Sequence, residues 1–199
     1  MARTRAEDFE EKQHQLLLTA AHVFATQGMD KASMSQIALE AGVSKSLLYH
    51  YYPSKDALIF AIIHTHLKEL ETALQQATDP DLPPGQRLEK LVLTVLEEYR
   101  GADDQHIVQL NAGPALSDDQ RARLLQLERR IVRHFSAVIC EIHPILDQPE
   151  RPLLMPVTMS LFGMLNWVYM WFRDGGPVSR EDYAKLATTL ILEGVKAVR

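Results

Sequence analysis

Ser33-Met34-Ser35-Gln36-Ile37-Ala38-Leu39-Glu40-Ala41-Gly42-Val43-Ser44-Lys45-Ser46-Leu47-Leu48-Tyr49-His50-Tyr51-Tyr52-Pro53 reads as two short helices joined by a glycine turn. Ser33 followed three residues on by Gln36 predicts a capping box. The hydroxyl takes a free backbone N–H and the amide reaches back. Ile37, Ala38 and Ala41 repeat at helical spacing. Gly42 follows at once, where a left-handed residue ends a helix without a Cβ clash. Ser44 predicts the cap of a second helix carrying Leu47, Leu48, Tyr49, Tyr51 and Tyr52. Pro53 stops it, because the residue before a proline avoids the helical region. Helix, glycine turn and helix is the unit whose second helix enters a DNA major groove. On spacing alone, a plain helical hairpin fits the stretch equally well.

Ala41-Gly42-Val43-Ser44-Lys45, then Leu48-Tyr49, then Pro53-Ser54-Lys55 and Leu58, resembles the DNA-binding signature of TetR-type (TetR/AcrR) bacterial transcriptional regulators. The resemblance runs back through Ala20, Phe24 and Gly28 and covers roughly the first 60 residues. It implies that the second motif helix lies in the major groove. Lys45, Ser46, Leu47 and His50 then face base edges, with Ser35 on the first motif helix as a further base-side residue. Tyr49 and Lys55 match phosphate contacts, which position a protein without reading sequence. Ser33 is a further phosphate donor. Leu47 departs from the small polar residue common at its position and would meet only a thymine methyl or another apolar edge. Tyr51 departs as well. Tyr52 reads as a core aromatic.

Outward from this stretch, a helix is expected over residues 7–27, with Leu17, Ala20, Ala21 and Phe24 as its apolar stripe and Gly28 as its stop. Ser54 predicts the cap of a long helix to Ala77, a rod leaving the reading head. Asp79-Pro80-Asp81-Leu82-Pro83-Pro84-Gly85 is a loop. Helices follow over residues 86–99 and 105–111. Ser117-Asp118-Asp119 opens another to Ile142, since acidic residues suit the positive end of a helix. Its inward residues are Leu124, Leu127, Ile131, Phe135, Val138 and Ile142. A proline-rich loop precedes an uncharged helix to Arg173, and Ser179 caps a last helix with Leu186, Leu190, Ile191, Gly194 and Val195 inward. The expected class is all-α. A DNA-binding domain occupies residues 1–55, and a ligand-binding and dimerisation domain occupies residues 56–199.

The net charge of −5 over 199 residues excludes a generally basic nucleic-acid binder. A reader of DNA needs only a local basic footprint, which Arg3, Arg5, Lys45 and Lys55 can supply. Glu7, Asp8, Glu10 and Glu11 must then face elsewhere. Cys140 is the single cysteine, so no internal disulfide forms, which suits a reducing, cytoplasmic compartment. The N-terminus lacks a signal-peptide core.

Residues 153–172 carry no charge over 20 positions, the length of a membrane span. A helix buried by its own domain and a partner subunit is the preferred reading, because Pro156, Thr158, Ser160 and Asn166 weaken the lipid one. Val157, Leu161, Leu165, Val168 and Phe172 form an aliphatic face for the core. Ser160, Met164, Trp167 and Trp171 form a small-and-aromatic face suited to a twin helix in a homodimer interface. Phe162, Asn166 and Tyr169 form a mixed face that suits either an effector pocket or packed core.

Catalytic and metal signatures are missing from the sequence. His64 and His66 stand two apart on a helix and diverge. His106, His134 and His143 lack the partners of a zinc site. No glycine-rich phosphate loop occurs, and Cys140 has no base placed by motif. The expected partners are therefore double-stranded operator DNA, a small apolar or aromatic effector and a second copy of the chain, with no cofactor and no membrane. The expected function is a ligand-responsive repressor rather than an enzyme. A helical protein-interaction module without DNA binding is the alternative.

Overall fold

The computed structural model describes residues 2–198, with the side chains of residues 2–10 and of Pro114 outside that description. The side chains of Arg3, Arg5, Glu7, Asp8 and Glu10 thus lie outside the described residues. The fold is all-α. Its helices are α1 Ala2–Gln27, α2 Met34–Glu40, α3 Lys45–Tyr51, α4 Lys55–Ala77, α5 Pro84–Glu98, α6 Asp103–Asn111, α7 Asp118–Ile142, α8 Leu154–Asn166, α9 Val168–Trp171 and α10 Arg180–Lys196. Two compact units emerge. The first takes the residues up to Leu67 with Gly101–Leu125, and the second takes Lys68–Arg100 with Gln126 onward. The cut between these compact units falls within α4 and α7.

In the first unit, α1 buries Leu16, Leu17, Ala20, Ala21, Val23 and Phe24, and α4 buries Leu58, Ile59, Ile62 and Ile63. Gly28 ends α1 with φ +84°, a conformation that costs a side-chain-bearing residue strain. α6 packs on α1, and His22 Nδ1 lies 2.9 Å from Asp104 Oδ2. This packing draws residues 101–125 into the first unit. The Asp103-Asp104-Gln105 start of α6 shows a helix start but not what the helix lies against. Before α7, Ser117 Oγ accepts from the Gln120 N–H, and the Gln120 amide oxygen accepts from the Ser117 N–H at 2.9 Å. That is a complete capping box, and the Arg121 guanidinium ties the same turn to the Gly113 and Leu116 carbonyls.

In the second unit, α10 packs on α5 and α8. Pro84 occupies the first turn of α5, where its missing N–H costs nothing. Phe135 is fully buried and meets Phe162 edge to face, ring centroids 4.9 Å apart, a preferred aromatic geometry. Arg180 is buried, yet every face of its guanidinium is used. It makes two bonds to the Asp174 carboxylate at 2.9 and 3.0 Å, donates to the Leu96 carbonyl, and lies over the Phe172 ring. The capping box of Ser179 with Asp182 starts α10 beside it.

Several expectations change. The uncharged run is not one helix. α8 stops at Asn166, the chain turns at Trp167, and α9 is a single turn. The Asn166 side chain accepts from Tyr99 Oη at 2.9 Å, a tertiary bond that hydropathy cannot reveal. Among the described residues no helix is long and apolar enough to cross a membrane. The proline loop after α7 holds a two-residue antiparallel ladder, β1 Asp147–Gln148 with β2 Arg151–Pro152. Ile142 is only half-buried, whereas Ile139 is buried in its place.

Candidate nucleic-acid interface

The geometry of α2 and α3 follows from their caps. Ser33 Oγ accepts from the Gln36 N–H, but the Gln36 amide donates forward to Glu40 at 3.2 Å, so the expected box is half made. At the other end, Gly42 N–H reaches the Leu39 carbonyl and Val43 N–H the Ala38 carbonyl at 3.1 and 2.9 Å. Gly42 has φ +64°. These paired bonds around a left-handed glycine make a Schellman turn. It aims α3 away from α2, and Ser44 Oγ then accepts from the Leu47 N–H at 3.1 Å.

α3 has one buried side chain, Leu48, which is 0% exposed and anchors the helix. Tyr51 is half-buried, and the other side chains of α3 are exposed. Lys45, Ser46, Leu47, Tyr49 and His50 are exposed, as are Ser33 and Ser35 on the preceding segment. The Lys45 ammonium lies 5.8 Å from the centre of the Tyr49 ring, so a cation and a phenol share one edge of α3. Ser46 Oγ lies 3.1 Å from Ser44 Oγ. His50 and Tyr51 meet edge to face. Tyr52 is buried and accepts from Gln13 at 3.1 Å. Burial raises its pKa, the Gln13 bond opposing.

Lys55 differs from the other residues of this set. It is half-buried, and its ammonium donates to the Met29 carbonyl at 2.7 Å, with the Asp30 and Ala32 carbonyls each at 3.4 Å. Its charge therefore closes the link between α1 and α2. Leu39 has no place in the sequence reading. It is 80% exposed on α2, one turn beyond Ser35. It stands at i+4 from Ser35, on the same face of α2.

Two grooves lie elsewhere. In the first unit, Glu11, Lys12, Gln15, Thr19, Val43, Leu47 and Tyr51 line a groove of about 440 Å³, which flanks Leu47 of α3. In the second unit, α4, α5 and α7 line one of about 360 Å³ with Glu71, Arg87, Arg130, Arg133 and His134 among its walls. The mixed-face residues are placed apart from both. Phe162 packs on Phe135, Asn166 bonds to Tyr99, and Tyr169 meets Trp167 edge to face. Desolvation raises the pKa of Tyr99, with a smaller push from Glu128, so its hydroxyl keeps the proton that Asn166 receives. On α8 and α9 the exposed apolar residues are Met155, Met159, Trp167, Met170 and Trp171, and on α10 they are Leu186 and Leu190. Of the expected twin-helix face, Ser160, Trp167 and Trp171 are exposed and Met164 is half-buried. Among the described residues no cluster of ligating side chains could hold a metal ion.

The chain is similar to known proteins along most of its length. A family model described as bacterial regulatory proteins, tetR family, matches residues 16–62. A second, described as tetracyclin repressor-like, C-terminal domain, matches residues 81–195. The HTH-type transcriptional repressor KstR2 of Mycolicibacterium smegmatis is 24% identical over 186 residues, spanning 92% of this chain and 90% of that one. The crystal structure of a TetR-family transcriptional regulator from Bordetella parapertussis 12822 superposes with TM-score 0.80 at 32% identity, covering 92% of this chain and 95% of that one. AibR, solved in complex with isovaleryl coenzyme A and operator DNA, shares the fold with TM-score 0.75 at 24% identity, over 91% of this chain and 98% of that one.

Proposed function

The chain belongs to the TetR family of bacterial regulatory proteins and is a DNA-binding transcriptional regulator rather than an enzyme, and from this premise we propose that it is a cytoplasmic homodimeric repressor that leaves an inverted-repeat operator when a small molecule binds. The observation that carries the reading is α3. It is a capped helix whose one buried side chain is Leu48, with Lys45, Ser46, Leu47, Tyr49 and His50 exposed. Lys45 and His50 supply hydrogen-bond donors suited to purine acceptors, and Leu47 supplies an apolar contact for a thymine methyl. Ser33 and Tyr49 serve the backbone, and Ser35 adds a base-side hydroxyl.

The exposed apolar residues of α8, α9 and α10 support self-association, because a monomer seldom leaves so many large apolar side chains in water. Two-fold pairing places two α3 helices on one DNA face about 34–36 Å apart, or a multiple of that spacing. Release requires an effector that binds the DNA-incompetent state more tightly than the competent one. The continuous rod of α4, Lys55–Ala77, begins beside the reading helix and suits the transmission of that bias. The likeness to KstR2, a repressor, supports repression, and the likeness to AibR, solved with isovaleryl coenzyme A and operator DNA, supports a response to a small molecule.

Selection of genomic fragments by the purified protein, followed by footprinting, tests the reading. An inverted repeat protected on one face of the duplex is the expected result. Recovery of no sequence above the non-specific background would overturn it.

A further inference from the structure

The groove of the second unit carries more positive charge than its own structure uses. Arg87, Arg130 and Arg133 line it, together with Gln75, Thr78 and His134, against a wall of Leu91, Ala137 and Val138. Glu71 is the one carboxylate in that lining and is 2% exposed. It already receives Lys68 at 2.8 Å, Arg130 at 2.5 Å and the Gln75 amide at 3.3 Å. Burial alone would raise its pKa, but the bonds from Lys68 and Arg130 outweigh that and leave it lowered. It therefore stays ionised and fully occupied, and it fixes Arg130 along the wall.

Arg87 and Arg133 have capacity left. One terminal nitrogen of Arg87 binds the outlying Glu141. Its Nε is buried and has no hydrogen-bond partner, which leaves a charged donor unsatisfied away from water. The Arg133 side chain has no hydrogen-bond or ion-pair partner among the described residues, although it lines the same groove. His134 is depressed by burial, with Glu71 opposing, so near neutral pH it offers one ring N–H and one ring acceptor. Four cations, counting Lys68, thus meet two carboxylates. A volume of about 360 Å³ lies within the range of small-molecule sites.

We propose that this groove binds a small organic acid, with its carboxylate or phosphate on Arg87 Nε and Arg133 and its apolar part against Leu91, Ala137 and Val138. A planar guanidinium presents paired donors that match either anion. As the effector's seat, the groove rests on the ligand-responsive reading above, and it stands in place of the apolar or aromatic effector expected for the mixed face of Phe162, Asn166 and Tyr169.

Calorimetric titration of the full-length protein with hexanoate, hexyl phosphate and hexan-1-ol tests this. The two anions should bind at least fivefold more tightly than the alcohol. Whichever anion binds more tightly identifies the headgroup. Arg133→Ala, at an exposed position that the fold does not need, should remove most of that preference. Arg87→Met should do the same, and its melting curve reports separately whether loss of the Glu141 pair unsettles the fold. Equal binding of acid and alcohol, or an unchanged preference in Arg133→Ala, would overturn the site. Operator binding measured with and without the better anion separates this from the reading it rests on. Anion binding that leaves operator affinity unchanged keeps the site and removes its effector role. Operator binding by a protein that takes up neither anion removes the site and keeps the regulator.

Discussion

The ammonium of Lys55 lies 2.7 Å from the carbonyl oxygen of Met29 and within 3.4 Å of those of Asp30 and Ala32. An ammonium has three hydrogens, and three loop carbonyls face this one. The first residue of α4 thereby holds the segment that leads into Ser33 and α2. Lys55→Met should cost about 1–3 kcal/mol of stability, the range for losing hydrogen bonds from a charged donor, and should speed hydrogen exchange at the start of α2. DNA affinity should fall equally for all sequences, with the salt slope unchanged. A slope smaller by roughly one unit would instead assign Lys55 to a phosphate.

Lys45 and His50 are exposed on α3 without a structural duty as large as that of Leu48. Replacing either by Ala should cost about 1–3 kcal/mol on the preferred operator and far less on a scrambled duplex. Titrations of both duplexes with each variant read the difference. Equal losses on the two would make these residues anchors rather than readers.

Trp167 is 58% exposed on the α8–α9 turn, with Leu186 and Leu190 open on α10 at 52% and 55%. Trp167→Glu should convert a dimer into a monomer in light scattering, because an interface there would bury an unpaired carboxylate. Wild-type protein that scatters as a monomer at micromolar concentration would remove the dimer from the proposal.

His66 is buried in the first unit, and burial, with a smaller contribution from His106, pushes its pKa down to about 4. Its folded value lies below that of the unfolded chain, so the unfolded state binds the proton first. Stability should therefore hold above about pH 6.5 and decline as the pH falls toward 4, by up to about 3 kcal/mol. His66→Leu should flatten that part of the pH dependence of Tm. A profile with the same slope in the variant would place the acid sensitivity in other groups.

Local signals determined much of this protein. Ser33, Gly42, Ser44 and Pro53 act within four residues of themselves, by capping, left-handed backbone and steric exclusion, so the two motif helices were legible before any packing was known. Tyr52 read as a core aromatic and is buried, whereas the outward placing of Lys45, Tyr49 and His50 came from the family resemblance and not from spacing. Tertiary structure decided what depends on distant partners. Lys55 finds carbonyls 23 to 26 residues away, Asn166 finds Tyr99, and Phe162 finds Phe135. The sequence around Arg87, Arg130 and Arg133 shows only charged helix faces. They line one groove because α4, α5 and α7 bring separate turns together, a juxtaposition that no local spacing encodes.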